Sequence, residues 1–298
     1  MRNAFIDELV KAAAINDNIV LIIGDLGFGV VEPFATRFPH RFFNAGVAEQ
    51  NMMGMAAGLA SEGFHVFVYS IANFPTMRCA EQIRNDVDYH SFPVTIVAVG
   101  GGVAYGNLGY SHHAVQDYAL LRTMPNMLIA APGDPMETRA CMRYLLDNPQ
   151  PSYLRLGKAG EPCIHSEVPK LQPGQWLRIG GNNSAQKTYL TTGASLDLAH
   201  RTITSKPGVQ DWALHSMPLW SMQAKKIQIK QIRKFSKIIT VEDHLTDGGF
   251  GSWLLEAVSS EPQLLPRIGI KALDAGVCGM VGKQATLNSV CGLHEDSL

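Results

Sequence analysis

Ile19-Val20-Leu21-Ile22-Ile23-Gly24-Asp25-Leu26-Gly27 decides the fold class of this chain. An unbroken, mostly β-branched run of this length marks a strand buried on both faces, as in parallel sheets covered by helices. The glycine-bearing turn then falls at the strand's carboxyl end, where open α/β sheets place their ligands. Upstream, Phe5, Ile6, Leu9, Val10 and Ala13 share one face of a helix that Asn3 is placed to cap. Downstream, Arg41-Phe42-Phe43 reads as a short extended segment, and apolar runs at 66–70, 94–99, 127–130 and 153–156 read as further strands. Helical periods at 51–62, 77–87 and 135–146 separate them. This alternation predicts a doubly wound, parallel-sheet α/β domain over residues 1–160.

Periodicity fails over 161–185, where Pro162, Pro169, Pro173, Gly174, Gly180 and Gly181 mark a linker. A second, smaller α/β unit is expected over 186–298. It contains strands at 188–192 and 238–241, a Gly248-Gly249-Phe250-Gly251 turn, and a helix through Trp253, Leu254 and Val258. Beyond Val290 no period is visible, and this tail is expected to be poorly ordered or to lie on a partner.

A length of 298 residues, 46 % apolar and 17 % charged, fits about two well-cored globular domains. The net charge of -1 gives no basis for a nucleic acid or an anionic membrane as partner. No apolar run approaches the ~20 residues of a membrane span. The cysteines (79, 141, 163, 278 and 291) are scattered without a Cys-x-x-Cys pair. They argue for a reducing compartment and against a disulfide framework or zinc site. Asp7 and Glu8 stand where a signal peptide would continue apolar, so a cytoplasmic location is expected.

Asn44-Ala45-Gly46-Val47-Ala48-Glu49-Gln50 opens a helix of small and sulfur-containing residues. Its Gly54 and Gly58 leave a flat strip that another helix can approach closely. Glu49 in the first turn is either an ordinary acid favoured by the helix dipole or a carboxylate held for chemistry. Position alone favours the ordinary acid. Loops at 24–26, at 72–74, and from Gly100-Gly101-Gly102 to His112-His113 should open on one sheet edge. His112 on an uncharged, glycine-rich loop suits a proton carrier, and an exposed loop histidine fits it equally. No nearby Cys or Asp completes a metal set, so no metal site is expected in this chain. Neither a dinucleotide fingerprint after the first strand nor a phosphate loop at 248–251 is present.

Taken together, Gly24-Asp25-Leu26-Gly27, Phe43 through Gln50, Ala56-Ala57-Gly58-Leu59-Ala60, Glu81-Gln82-Ile83-Arg84 and Gly109-Tyr110-Ser111-His112-His113 resemble the pyrimidine-binding domain of the transketolase family of thiamine diphosphate enzymes. Residues 238–256 are similar to that family's C-terminal domain. The family's diphosphate- and magnesium-binding domain has no counterpart here. The resemblance therefore implies the C-terminal subunit of a split transketolase, working with an N-terminal, diphosphate-binding subunit in an α2β2 heterotetramer. Thiamine diphosphate would lie between the chains, its magnesium (or calcium) held mainly by the partner. Carried over residue by residue, Glu49 would hydrogen-bond N1′ of the aminopyrimidine as a catalytic proton partner, and Phe74 would stack on that ring. Asp25 and Leu26 would lie near the cofactor. His112, with His113 beside it, would face the sugar or sugar-phosphate substrate, and Arg155 would meet its distal phosphate.

The departures bear on substrate. Where the family reads sugar hydroxyls with an aspartate, this chain has Leu108, and a second family histidine falls on Gly100. Losing such polar partners costs specificity by large factors. The expected reaction is transfer of a two-carbon ketol unit from a ketose to an aldose-type acceptor, with a modified or biosynthetic sugar involved. The alternatives are a β subunit of a 2-oxoacid dehydrogenase, a deoxyxylulose-phosphate-synthase-like enzyme, or a non-catalytic assembly subunit. Retention of both Glu49 and His112 argues against the last.

Overall fold

A computed structural model describes residues 1–298. The predicted β-branched runs become strands: β1 (Ile19–Ile23), β2 (Phe42–Asn44), β3 (His65–Ile71), β4 (Val94–Val99), β5 (Leu128–Ala130) and β6 (Ser152–Leu156). Later come β7 (Leu177–Gly181), β8 (Lys187–Thr191), β9 (Trp212–Ser216), β10 (Leu219–Ser221), β11 (Lys237–Leu245) and β12 (Ile268–Leu273). The first sheet has the order β10-β5-β6-β4-β3-β1-β2, and the second β12-β11-β8-β9-β7. Both are parallel except at one edge, where β10 runs antiparallel to β5 and β7 to β9.

Alternation along the strands divides the first sheet's apolar residues between two faces. Val20, Ile22, Val66, Val68, Ile96 and Ala98 pack with Met52, Met53 and Ala56 of the Glu49–Ser61 helix. Ile19, Leu21, Ile23, Phe67 and Val97 pack instead with Phe5 and Leu9 of the Arg2–Ala13 helix and Leu145 of the Pro135–Asp147 helix. Each buried aliphatic side chain is worth about 1.5–3 kcal/mol, so neither helical layer is dispensable.

Four features depart from expectation. Asn3 lies inside the first helix rather than capping it; the N-cap is Met1, whose amino group pairs with Glu161 at 3.1 Å. The helix expected at 77–87 is two short turns, Phe74–Met77 and Ala80–Gln82, followed by π-helical Ile83–Asp88. The stretch expected as linker carries β7, and β10 crosses to the first sheet, so Leu190, Trp220, Phe250 and Trp253 share a core with Val20 and Ile22. Finally, the tail folds onto its own chain. Leu293 is buried, Lys206 Nζ donates to the Glu295 carbonyl at 3.1 Å, and Tyr189 Oη donates to the Leu298 carbonyl at 2.8 Å. No helix is long and apolar enough to cross a membrane.

Candidate active site

From β1 the chain steps to β2 on one side and later to β3 on the other, so a crevice opens between the carboxyl ends of β1 and β3. Ile23 pairs with Tyr69 in register, which sets Gly24 beside Ser70. A Cβ on Gly24 would sit 3.4 Å from Ser70 Oγ and 3.7 Å from Glu49 Oε1, so three segments converge here. Glu49 is only 2 % exposed. Its Oε2 accepts from Arg78 Nη1 at 2.8 Å, and the Arg78 side chain is 52 % exposed. The same guanidinium lies over the Phe74 ring, 4.7 Å from its centroid. Ser70 Oγ and Tyr69 Oη are buried without a partner. Burial, followed by the Glu49 charge, pushes the neighbouring Cys79 thiol up to about 12, which leaves it unreactive.

Phe74 begins the short helix after β3, and its ring meets His112 edge-on at 5.1 Å. Asn73 Nδ2 donates to the Ser111 carbonyl at 3.0 Å, holding the two loops together. The structure thus brings Glu49, Phe74 and His112 to one edge. Asp25 joins them from the other side of the crevice, exposed and with a left-handed φ of 55°. Its N–H donates to Asn44 Oδ1 at 3.1 Å, while its carboxylate accepts from Asn44 Nδ2 at 2.9 Å. Leu26 packs in part on the sheet core.

Two expected site residues are buried. His113 is 1 % exposed, so the two adjacent histidines separate: His112 stands against Phe74 at the crevice, and His113 is enclosed. Arg155 is also enclosed. Its Nε donates to Asp117 Oδ2 at 2.6 Å, Nη1 to Asp243 Oδ1 at 2.6 Å, and Nη2 to the Ala114 carbonyl at 2.7 Å. The Tyr118 ring lies 4.4 Å below it, and a Cβ on Gly101 would collide with it at 2.4 Å. Burial works against the charge, but Asp117 and Asp243 outweigh it and raise the pKa well above its ordinary value. Its donors are thus engaged inside the protein, although the side chain also borders the cavity that Lys158 lines.

Lys158, three positions along, belongs to none of the sequence motifs and is the exposed cation near the same strand end. Its Nζ stands 4.8 Å from the Tyr105 ring centroid. That ring packs on Gly100, whose φ of +83° and missing Cβ let it approach. Lys158 also borders a cavity of about 680 Å³ between the two halves, with Gly101, Arg155, Ser195, Arg201 and Asn288 among its walls. The only sequence signal for it is a lysine two residues beyond a strand's carboxyl end.

Residues 1–160 match the family model described as transketolase, pyrimidine binding domain. The chain is 34 % identical over 274 residues to one subunit of the apulose-4-phosphate transketolase of Phocaeicola vulgatus, covering 90 % of this chain and 86 % of that one. It is 28 % identical over 275 residues to a 6-deoxy-6-sulfo-D-fructose transketolase subunit of Clostridium sp. (strain MSTE9), covering 91 % and 84 %. Among solved structures, one described as a split gene transketolase, inactive beta4 tetramer, superposes with a TM-score of 0.84. It is 30 % identical, with 99 % of this chain and 94 % of that one covered.

Proposed function

We propose that this chain, which belongs to the transketolase family, is the C-terminal, pyrimidine-binding subunit of a two-chain transketolase that transfers a two-carbon ketol unit from a ketose to an aldose-type acceptor. The carrying observation is the Glu49 carboxylate, 2 % exposed at the β1/β3 crevice, with Phe74 beside it and the Ser70 hydroxyl left without a partner. An acceptor, an aromatic face and a free hydroxyl around a glycine are what a flat aminopyrimidine needs. Thiamine diphosphate, when bound, supplies the carbon nucleophile for the carbon–carbon chemistry.

This chain's residues then act around it. Glu49 holds a proton against the ring nitrogen, in a place shielded from water where such a bond is strong. Phe74 fixes the ring's plane. His112, half-exposed at the same edge and supported by Ser111 Oγ at 3.0 Å, moves a proton at a sugar oxygen. Lys158 takes the role first expected of Arg155, meeting an anionic group at the far end of the substrate. Leu108, exposed and apolar, gives a sugar hydroxyl no polar partner, which favours a modified sugar of the kind named in the relatives. A partner chain would contribute the diphosphate half of the site together with its magnesium or calcium ion, in an α2β2 assembly. All five cysteines are unpaired, in keeping with a reducing, cytoplasmic setting.

The test is reconstitution. The chain should be produced with a neighbouring subunit carrying Gly-Asp-Gly and paired-asparagine motifs, and ketol transfer followed with and without thiamine diphosphate. Activity is expected only from the pair with cofactor. Full turnover by this chain alone would refute the two-chain reading.

A further inference from the structure

We propose that Arg78 is a placeholder for the cofactor ring: in the cofactor-free chain its guanidinium lies over the Phe74 ring and holds one oxygen of Glu49, filling the place the aminopyrimidine would take, and binding displaces it. The inference rests on the reading of Glu49 and Phe74 given above and adds a residue outside it.

The geometry is specific on three counts. The guanidinium is flat, as an aminopyrimidine is, and can cover an aromatic face in the same way. Its Nη1 holds Glu49 Oε2 at 2.8 Å, and its Cζ stands 4.7 Å from the Phe74 ring centroid, so one planar group takes one of the two carboxylate oxygens and lies over the aromatic ring. The two ends of the pair also differ in exposure, with Glu49 2 % exposed and Arg78 52 %. A buried carboxylate left alone is costly, which gives the cofactor-free chain a reason to keep the pair. A long side chain already half in solvent can swing away at little loss. Arg78 also sits where the helical run breaks, between Phe74–Met77 and Ala80–Gln82, so its movement need not pull a continuous helix with it.

Glu49 keeps a second oxygen, Oε1, on the Gly24 side, so the competition is for the Phe74 face: a ring stacked where the guanidinium now lies requires Arg78 to leave. Closed and open forms of the pair therefore compete with binding, and the apparent affinity is the intrinsic one reduced by the fraction open. Arg78 is a positioning residue in this scheme. It keeps Glu49 paired and the crevice filled until the cofactor arrives.

The experiment uses the assembled two-chain complex and measures the dissociation constant of thiamine diphosphate, with magnesium present, by calorimetry. Arg78→Met, which keeps the aliphatic stem but not the donors, should bind the cofactor more tightly, by about tenfold if the pair is closed nine-tenths of the time. Arg78→Lys, which keeps the charge without the flat fork, should fall between Arg78→Met and wild type. In the isolated chain, Arg78→Met should lower the unfolding temperature, and adding Glu49→Gln should restore it. Equal or weaker cofactor binding by Arg78→Met, with normal wild-type binding, overturns the placeholder and leaves the functional reading intact. A wild-type complex that binds no thiamine diphosphate overturns both.

Discussion

Arg155 on β6 and Asp243 on β11 meet at 2.6 Å, so a single guanidinium joins the two sheets across the middle of the molecule. Asp117 closes the cluster and receives the Tyr153 hydroxyl at 2.6 Å. Removing one partner of a buried ion pair leaves uncompensated charge, at a cost of about 3–5 kcal/mol. Arg155→Leu should therefore lower the urea midpoint by a corresponding amount. Arg155→Lys should not rescue it, because an ammonium cannot reproduce the fork that reaches Asp117, Asp243 and the Ala114 carbonyl together. A variant with normal stability and a raised KM for an anionic substrate would return Arg155 to the substrate role.

Arg155 also shows what the sequence could and could not reveal. Ile19–Ile23 and Val94–Val99 announce their strands because residues buried on both faces leave no polar interruption. β7 ends in Gly180-Gly181, and β10 is three residues long, so neither carries a local period; they form because partner strands offer free edges. Glu49, Phe74 and His112 could be nominated from sequence because each lies in a contiguous motif at a strand end, and the fold brings them to one edge. The partners of Arg155 are 38 and 88 residues distant, and nothing local separates a structural cation from a substrate cation. Arg78 is equally hidden: its meaning lies in a contact with a residue 29 positions away.

Glu49→Gln tests the proton role most directly. Glutamine is nearly isosteric, so the fold and the partner interface should survive, and size-exclusion chromatography of the pair should be unchanged. Losing a positioned acid–base group typically costs about 10²–10⁴ in rate, so kcat for ketol transfer should fall by that order. Turnover within a few-fold of wild type would remove Glu49 from the chemistry.

Lys158→Ala addresses the anionic end of the substrate. The side chain is exposed and rests on Tyr105 by a cation–π contact, worth about 0.5–1 kcal/mol at such a site, so stability should change little. If Lys158 meets a phosphate or sulfonate, KM for the charged substrate should rise while KM for an uncharged ketose stays level. Parallel changes with both substrates would mean that Lys158 reads no charge.

The pH dependence of stability follows from five buried groups acting in opposite directions. Burial pushes His65, His215 and His244 down to about 4. The unfolded chain, with histidines near 6.5, then binds more protons than the folded one between these values, so stability is lost as pH falls through that window. Burial pushes Glu137 up to about 7 and Glu242 up to about 8, from 4.5. Here the folded chain binds more protons, and stability is lost as pH rises toward the folded values. Between 4.5 and 6.5 the three histidines outnumber the two carboxylates, whereas above 6.5 only the carboxylates still titrate. The denaturant midpoint should therefore peak near pH ~6.5 and decline on both sides. His65→Gln, which can keep the bond to Thr95 Oγ1 seen at 3.1 Å, should flatten the acid limb by about one proton, or about 1.4 kcal/mol per pH unit. A midpoint still rising at pH ~8 would show that Glu137 and Glu242 are ionised in the folded chain well below that pH.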